Sequence, residues 1–147
     1  MRANADDQAA LDALSAQLYA AFGNAVGAVP DLDGLRDVFL PGCIITKAVD
    51  PGAQVQDLEA FIAHRRPLLT GGRLTGFTEQ ETAAETWACG NIAGRCNVYE
   101  KSGVLDGVAF ATRGIKNLQF VRRDGRWWIS ALAWDDERPG LVIPDRP

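Results

Sequence analysis

Few residues in this chain are equipped for chemistry. The one histidine, His64, sits in the stretch FIAHRRP near the end of an apolar-periodic segment. An imidazole titrates near neutral pH, which makes His64 a candidate general base. The plain alternative is a solvated histidine at a helix C-terminus. Asp135 and Asp136 follow Trp134 in the last apolar run, and on a strand they point to opposite faces. Against an apolar wall, Asp135 would have a raised pKa and could take a proton next to a carbonyl. In the competing reading Asp136 pairs with Arg113 and Asp135 faces solvent. Tyr99 could donate a hydrogen bond to a ligand oxygen, or it could serve the core or an interface. Arg95, Asn97, Asn117 and Gln119 are polar residues within strand-like runs, and each either lines a pocket or links subunits. Glu79, Glu81 and Glu85 alternate with small polar residues, the pattern of a wet strand face.

Other chemistries find no support. There is no nucleophile elbow, phosphate-binding glycine loop or metal motif. Cys43, Cys89 and Cys96 show no CxxC spacing, and with one histidine they make no zinc set. An odd cysteine count behind a start without an apolar leader predicts free thiols in the cytoplasm. Cys89 and Cys96 read as small core fillers. The net charge is −4, with arginines scattered among acids, so neither nucleic acid nor membrane is expected as a partner. No cofactor and no metal are expected.

The elements that must position these residues follow from periodicity. Residues 7–26 place Leu11, Leu14, Leu18 and Phe22 on one helical stripe, capped by Asp6 or Asp7. The segment PDLDGLRDVFL predicts a short second helix with Leu32, Leu35, Val38 and Phe39 inward, stopped by Pro41-Gly42. CIITKA is a strand. Asp57 caps a third helix with Leu58, Phe61, Ile62 and Leu69 on its stripe, kinked or ended by Pro67. Strands follow at about 74–88, 92–101, 108–122 and 126–136. They are joined at Gly90-Asn91, a loop near Ser102–Gly107, and Asp124-Gly125. The chain reads as one α+β domain over residues 1–147, with 138–147 an extended tail: helices on one face of a long antiparallel meander.

RDGRWWISALAWDD carries three tryptophans in one strand. A two-residue Asp124-Gly125 turn is favoured over a three-residue turn with a bulge, which would move Asn117 and Gln119 to the Trp127 face. The two-residue turn sets Arg123 opposite Arg126, Phe120 opposite Ile129, Leu118 opposite Ala131 and Arg113 opposite Asp136. Trp127 then shares one face with Phe120 and Ile129, while Trp128, Leu132 and Trp134 share the other. Helices cover one face only, so the second is expected to be covered by another copy of the chain. Trp128, Leu132 and Trp134 would form that homodimer interface.

With these elements in hand, the chain resembles the nuclear transport factor 2-like superfamily, above all its SnoaL-like and ketosteroid-isomerase-like members. The resemblance rests on Phe77 and Glu79, on Tyr99-Glu100, on Arg113-Gly114-Ile115 with Gln119, and on Arg-Trp-Trp-Ile…Trp-Asp-x-Glu-Arg-Pro. Within the superfamily it is similar to a group of small bacterial proteins without assigned activity. It implies a curved sheet forming a cone around the N-terminal helices (a cystatin-like fold), with an apolar pocket at one end. Phe22, Phe61, Tyr99, Trp127, Gln119 and Arg113 would then contact a small apolar ligand, with His64 and Asp135 as candidate catalytic groups. Two functions follow: a cofactor-free isomerase, cyclase or dehydratase working by proton transfer, or a dimeric binding module without chemistry. The fold hosts both.

Overall fold

The computed structural model describes every residue except Asp50. Helix α1 spans Ala5–Ala20, beginning two residues earlier than the sequence reading, because Asn4 is the cap, and ending well before residue 26. The Asn4 Oδ1 accepts the Asp7 backbone N–H at 2.8 Å, satisfying one of the orphan donors of the first turn. Leu11, Leu14 and Leu18 are buried, and so are Ser15 and Tyr19 on the adjoining stripe. Helix α2 spans Leu58–Thr70, with Asp57 accepting the Ala60 N–H at 2.8 Å. Pro67 lies inside it, and the helix continues to Thr70 before Gly71 closes on the Pro67 carbonyl at 2.9 Å.

Six strands form one mixed sheet: β1 (Phe39–Lys47), β2 (Gln54–Gln56), β3 (Leu74–Cys89), β4 (Ile92–Leu105), β5 (Val108–Arg123) and β6 (Arg126–Asp136), in the order β2-β1-β6-β5-β4-β3. The antiparallel meander is as expected, but β1 adds to it parallel to β6. The expected second helix is a single 3-10 turn, Asp33–Asp37. Phe39 already pairs with Ile129, and β1 passes Pro41-Gly42 as an irregularity, because proline offers no N–H and Gly42 takes φ +86°. Strand β4 also outruns its expected end. The Ser102–Gly107 loop is a two-residue turn at Asp106-Gly107, with φ of 49° and 81°, matching Asp124-Gly125 at 53° and 77°. Asp-Gly suits such turns because both central residues need positive φ.

Bulges bend the sheet into an open cone. The pairings Thr75↔Val104 and Thr78↔Ser102, then Glu81↔Tyr99 and Ala83↔Val98, each leave residues of β3 unpaired. In β6, Phe120 pairs with Ile129 but Gln119 with Ala131, so Ser130 is extra. Each extra residue sharpens local twist and turns the strand around the helices.

The Ser130 bulge corrects the tryptophan reading. Leu118 pairs with Leu132, not Ala131, and Asp136 sits opposite Gly114, not Arg113. One inserted residue reverses the face of everything beyond it. Trp127, Ile129, Leu132 and Trp134 are therefore all buried in one core, and Leu132 and Trp134 do not belong to the outer face. Trp128 does, half-buried, with the Arg126 guanidinium 3.7 Å from its ring centroid. The tail folds back over another part of that face. Arg113 donates to the carbonyls of Ile143 (2.9 Å) and Pro144 (3.2 Å), and Ile143 is buried.

Candidate functional site

The helices and the concave face of the sheet enclose a cavity of about 120 Å³. Leu18 and Phe22 enter it from the end of α1, Phe61 and Leu69 from α2, and Leu132 and Trp134 from β6. Phe61 stands edge-on to Phe22 at 5.8 Å and to Trp134 at 6.0 Å, an arrangement favoured by the ring quadrupoles.

The remaining wall is charged. Glu79 from β3, Tyr99 and Lys101 from β4, Lys116 from β5 and Arg65 from α2 all face the cavity. Lys116 Nζ donates to Glu79 Oε1, with the two side chains 6% and 10% exposed. It lies 3.9 Å from the Tyr99 ring centroid and 4.2 Å from that of Tyr19. Burial pulls the Lys116 pKa down, opposed by the Glu79 charge. The Tyr99 hydroxyl donates to Asp136 Oδ1, and Lys101 Nζ donates to Asp136 Oδ2 at 2.8 Å. Burial first, then the Asp136 charge, holds the Tyr99 pKa far above its ordinary value, so the phenol stays protonated. Among the described residues Glu79 Oε2 has no hydrogen-bond partner. A free carboxylate oxygen on an apolar cavity, beside a lysine and a neutral tyrosine, has the parts for moving a proton and steadying the charge left behind.

A second polar cluster pins α1 to the sheet. Arg95, 5% exposed, binds Glu81, Asp12 (2.6 Å) and Thr86 (2.8 Å), while Ser15 donates to Glu81 at 2.8 Å. Tyr19 donates to Asn97 Oδ1 at 2.6 Å. These groups are spent on one another, except Asn97 Nδ2, which is buried with no hydrogen-bond partner among the described residues.

Of the residues singled out from sequence, Phe22, Phe61 and Tyr99 line the cavity. His64 does not project into the cone. It is exposed on α2, with Nδ1 at 3.2 Å from Gln56 Oε1. Asp135 turns away from the cavity and accepts from Arg138. Asp136 is the inward member of that pair. Trp127 is buried but outside the cavity lining, its Nε1 donating to Asp7 Oδ1 at 2.9 Å. Gln119 binds Ser130 at 2.9 Å on the outer face, and Arg113 holds the tail. Glu79 and Glu81 are not on a wet face; among the three glutamates, only Glu85 is exposed. Cys89 is exposed rather than a core filler, Cys43 is buried, Cys96 is intermediate, and all three are free. Among the described residues no group of three or more His, Cys, Asp or Glu could hold a metal ion, and no helix is long and apolar enough to cross a membrane.

Sequence reasoning missed Lys116, Lys101, Arg65 and the inward role of Glu79. A signal existed for three of them. Lys116 has the strand parity of Leu118 and Phe120, and Glu79 that of Phe77, so alternation alone puts both side chains on the core face. Arg65 follows Phe61 by four residues on a helix, the spacing of a shared face.

No protein-family model matches the chain, and no curated protein matches it. Solved structures do. A cystatin-like protein of unknown function from Nostoc punctiforme is 13% identical, with 96% of this chain and 100% of that one covered at a TM-score of 0.70. A hexachlorocyclohexane dehydrochlorinase, LinA type 2, is 13% identical over 90% of this chain and 86% of its own, at 0.71. A nuclear transport factor 2-like protein of unknown function from Silicibacter pomeroyi is 17% identical over 90% and 97%, at 0.62. The order of elements, the open mixed sheet wrapped around two helices and these likenesses agree: the chain has the nuclear transport factor 2-like, cystatin-like fold.

Proposed function

We propose that the cone is a binding site for a small, mostly apolar molecule, in the manner of SnoaL-like proteins, and that Glu79 moves a proton on it without a cofactor. One observation carries this reading: the unbonded Oε2 of Glu79 shares a cavity with an apolar wall, Lys116 and a protonated Tyr99. Glu79 would accept a proton adjacent to a carbonyl, and Lys116 would stabilise the resulting oxyanion. The cavity, at about 120 Å³, compares with the roughly 150 Å³ apolar cavity known to bind benzene. That size suits one ring or a short branched chain. The fold-level likeness to a dehydrochlorinase supports chemistry in such a cone by analogy.

The test is exchange of α-protons for solvent deuterium in small cyclic ketones and 2-oxo acids, followed by NMR. The protein should accelerate exchange on at least one member, and Glu79→Gln should remove about a hundredfold or more of that rate. Binding without exchange across the panel removes the proton transfer and leaves a binding module. No binding at all removes the reading.

A second reading concerns the outer face. Trp128, Val121, Ile92 and Trp87 lie side by side there, with Ile92 52% and Trp87 42% exposed. We infer that this patch meets a second copy, giving a homodimer, since an exposed aromatic patch of this kind is costly in water. Light scattering at micromolar concentration should show the dimer, and Trp128→Glu should give monomer. A monomeric wild type ends this reading. Three free thiols suit a reducing compartment, the cytoplasm.

A further inference from the structure

We infer that the cone takes a small monocarboxylate, gripped by the guanidinium of Arg65. This rests on the cone being a ligand site and names the chemical class of what it holds.

The argument begins with charge. Arg65, Lys101 and Lys116 face the cavity as cations, and Glu79 lines it with Asp136 beside it. Each carboxylate is already engaged. Glu79 holds Lys116, and Asp136 accepts from both Lys101 and Tyr99. Three cations against two carboxylates leave one positive charge, and Arg65, which feels the Glu79 and Asp136 charges but bonds neither, carries it. Among the described residues no acceptor lies within hydrogen-bonding distance of its five N–H donors. It is held instead by two rings, 5.1 Å from the Phe61 centroid and 5.4 Å from that of Trp134. The chain does not lack acids, having a net charge of −4. The next residue, Arg66, reaches Asp33 at 2.6 Å, and Arg36 pairs with Glu59 at 2.8 Å.

A guanidinium does not lose its proton in proteins. Holding one half-buried with no directly bonded counterion is unfavourable, whereas a carboxylate matches its planar fork with two parallel bonds. One uncompensated charge calls for a monoanion. The cavity volume and its Phe22, Phe61 and Leu132 wall call for a single ring or a branched aliphatic body behind that anion. Phe61 and Trp134 fix the guanidinium at the junction of the two regions, so the ligand is bound acid-end to Arg65.

Isothermal titration calorimetry on the intact chain tests this with four probes: benzoate, cyclohexanecarboxylate, benzamide and benzyl alcohol. The two acids should bind at least about tenfold more tightly than the two neutral molecules, the size of a charge-assisted pair. Arg65→Met keeps the apolar stem and should weaken benzoate at least about tenfold while leaving benzamide within about twofold. Arg65→Lys should fall between, since it restores charge without the fork. Near-ultraviolet circular dichroism checks that the variants fold. Should they not fold, the benzoate-to-benzamide ratio of wild type decides alone. Neutral probes binding as well as the acids, or benzoate surviving Arg65→Met, overturns the carboxylate assignment and leaves cone binding intact. If none of the four binds, both readings fall.

Discussion

Breaking the Lys116–Glu79 pair should cost far more than removing it. Both side chains are nearly sealed, at 6% and 10% exposure, and Lys116 also lies against the Tyr19 and Tyr99 rings. Removing one partner of a buried pair leaves an uncompensated charge and costs about 3–5 kcal/mol. For Lys116→Met the two desolvated ring contacts are lost as well, placing it at the upper end. Replacing both partners with apolar groups of similar volume, Lys116→Met with Glu79→Leu, should fall between neutral and about 4 kcal/mol stabilising. With a urea m-value of about 2 kcal/mol/M, each single change should lower the unfolding midpoint by about 1.5–2.5 M, and the double change should restore it. The pH dependence gives an independent check. Burial holds the Lys116 pKa below its unfolded value. Between those two values the unfolded chain binds more protons, so stability rises with pH in that window. Glu79→Gln removes the charge that opposes the lowering and widens the window toward neutrality. Its deficit should therefore shrink as pH is raised from 7 to 10. Single variants costing under about 1 kcal/mol, the value of a surface pair, would refute the buried pair. A double variant as unstable as the sum of the singles would refute it too.

Gly114 faces Tyr99, where an added Cβ would stand 2.1 Å from the ring. Gly114→Ala should destabilise by about 1–3 kcal/mol in thermal unfolding despite raising strand propensity, and an unchanged midpoint would contradict the close approach. Native thiol labelling should find Cys89 first, because Cys43 is buried and burial raises its pKa, leaving little thiolate. Cys43 reacting as fast as Cys89 in the folded chain would contradict its placement.

How much of this was legible in the sequence depends on which physical signal each feature rests on. The α+β order, the four long strands and their turns stand on alternation and on Asp-Gly chemistry, both local. The 3-10 turn at Asp33–Asp37 and the start of β1 at Phe39 were less legible. Leu32, Leu35, Val38 and Phe39 satisfy a helical stripe, and only pairing with Ile129 pulls Phe39 into the sheet. That pairing is tertiary. The charged wall was hidden for a different reason. Glu79 and Lys116 are 37 residues apart, and neither looks like a core residue until the other is placed beside it.

The Ser130 bulge is the sharpest case, because it inverts a conclusion while preserving its premises. The two-residue turn, Arg123 opposite Arg126 and Phe120 opposite Ile129 all hold. One extra residue then carries Leu132, Trp134 and Asp136 inward together. Trp134 thereby becomes the ring that positions Arg65, and Asp136 becomes the partner of Tyr99 and Lys101. Three tryptophans in one strand had implied a second buried face. With Trp134 inside, the outer face must be argued from Trp128 and from its neighbours Val121, Ile92 and Trp87 on other strands. The bulge that bends the sheet into a cone is thus also the device that builds the wall of its cavity. A strand of perfect alternation at this place would have closed neither.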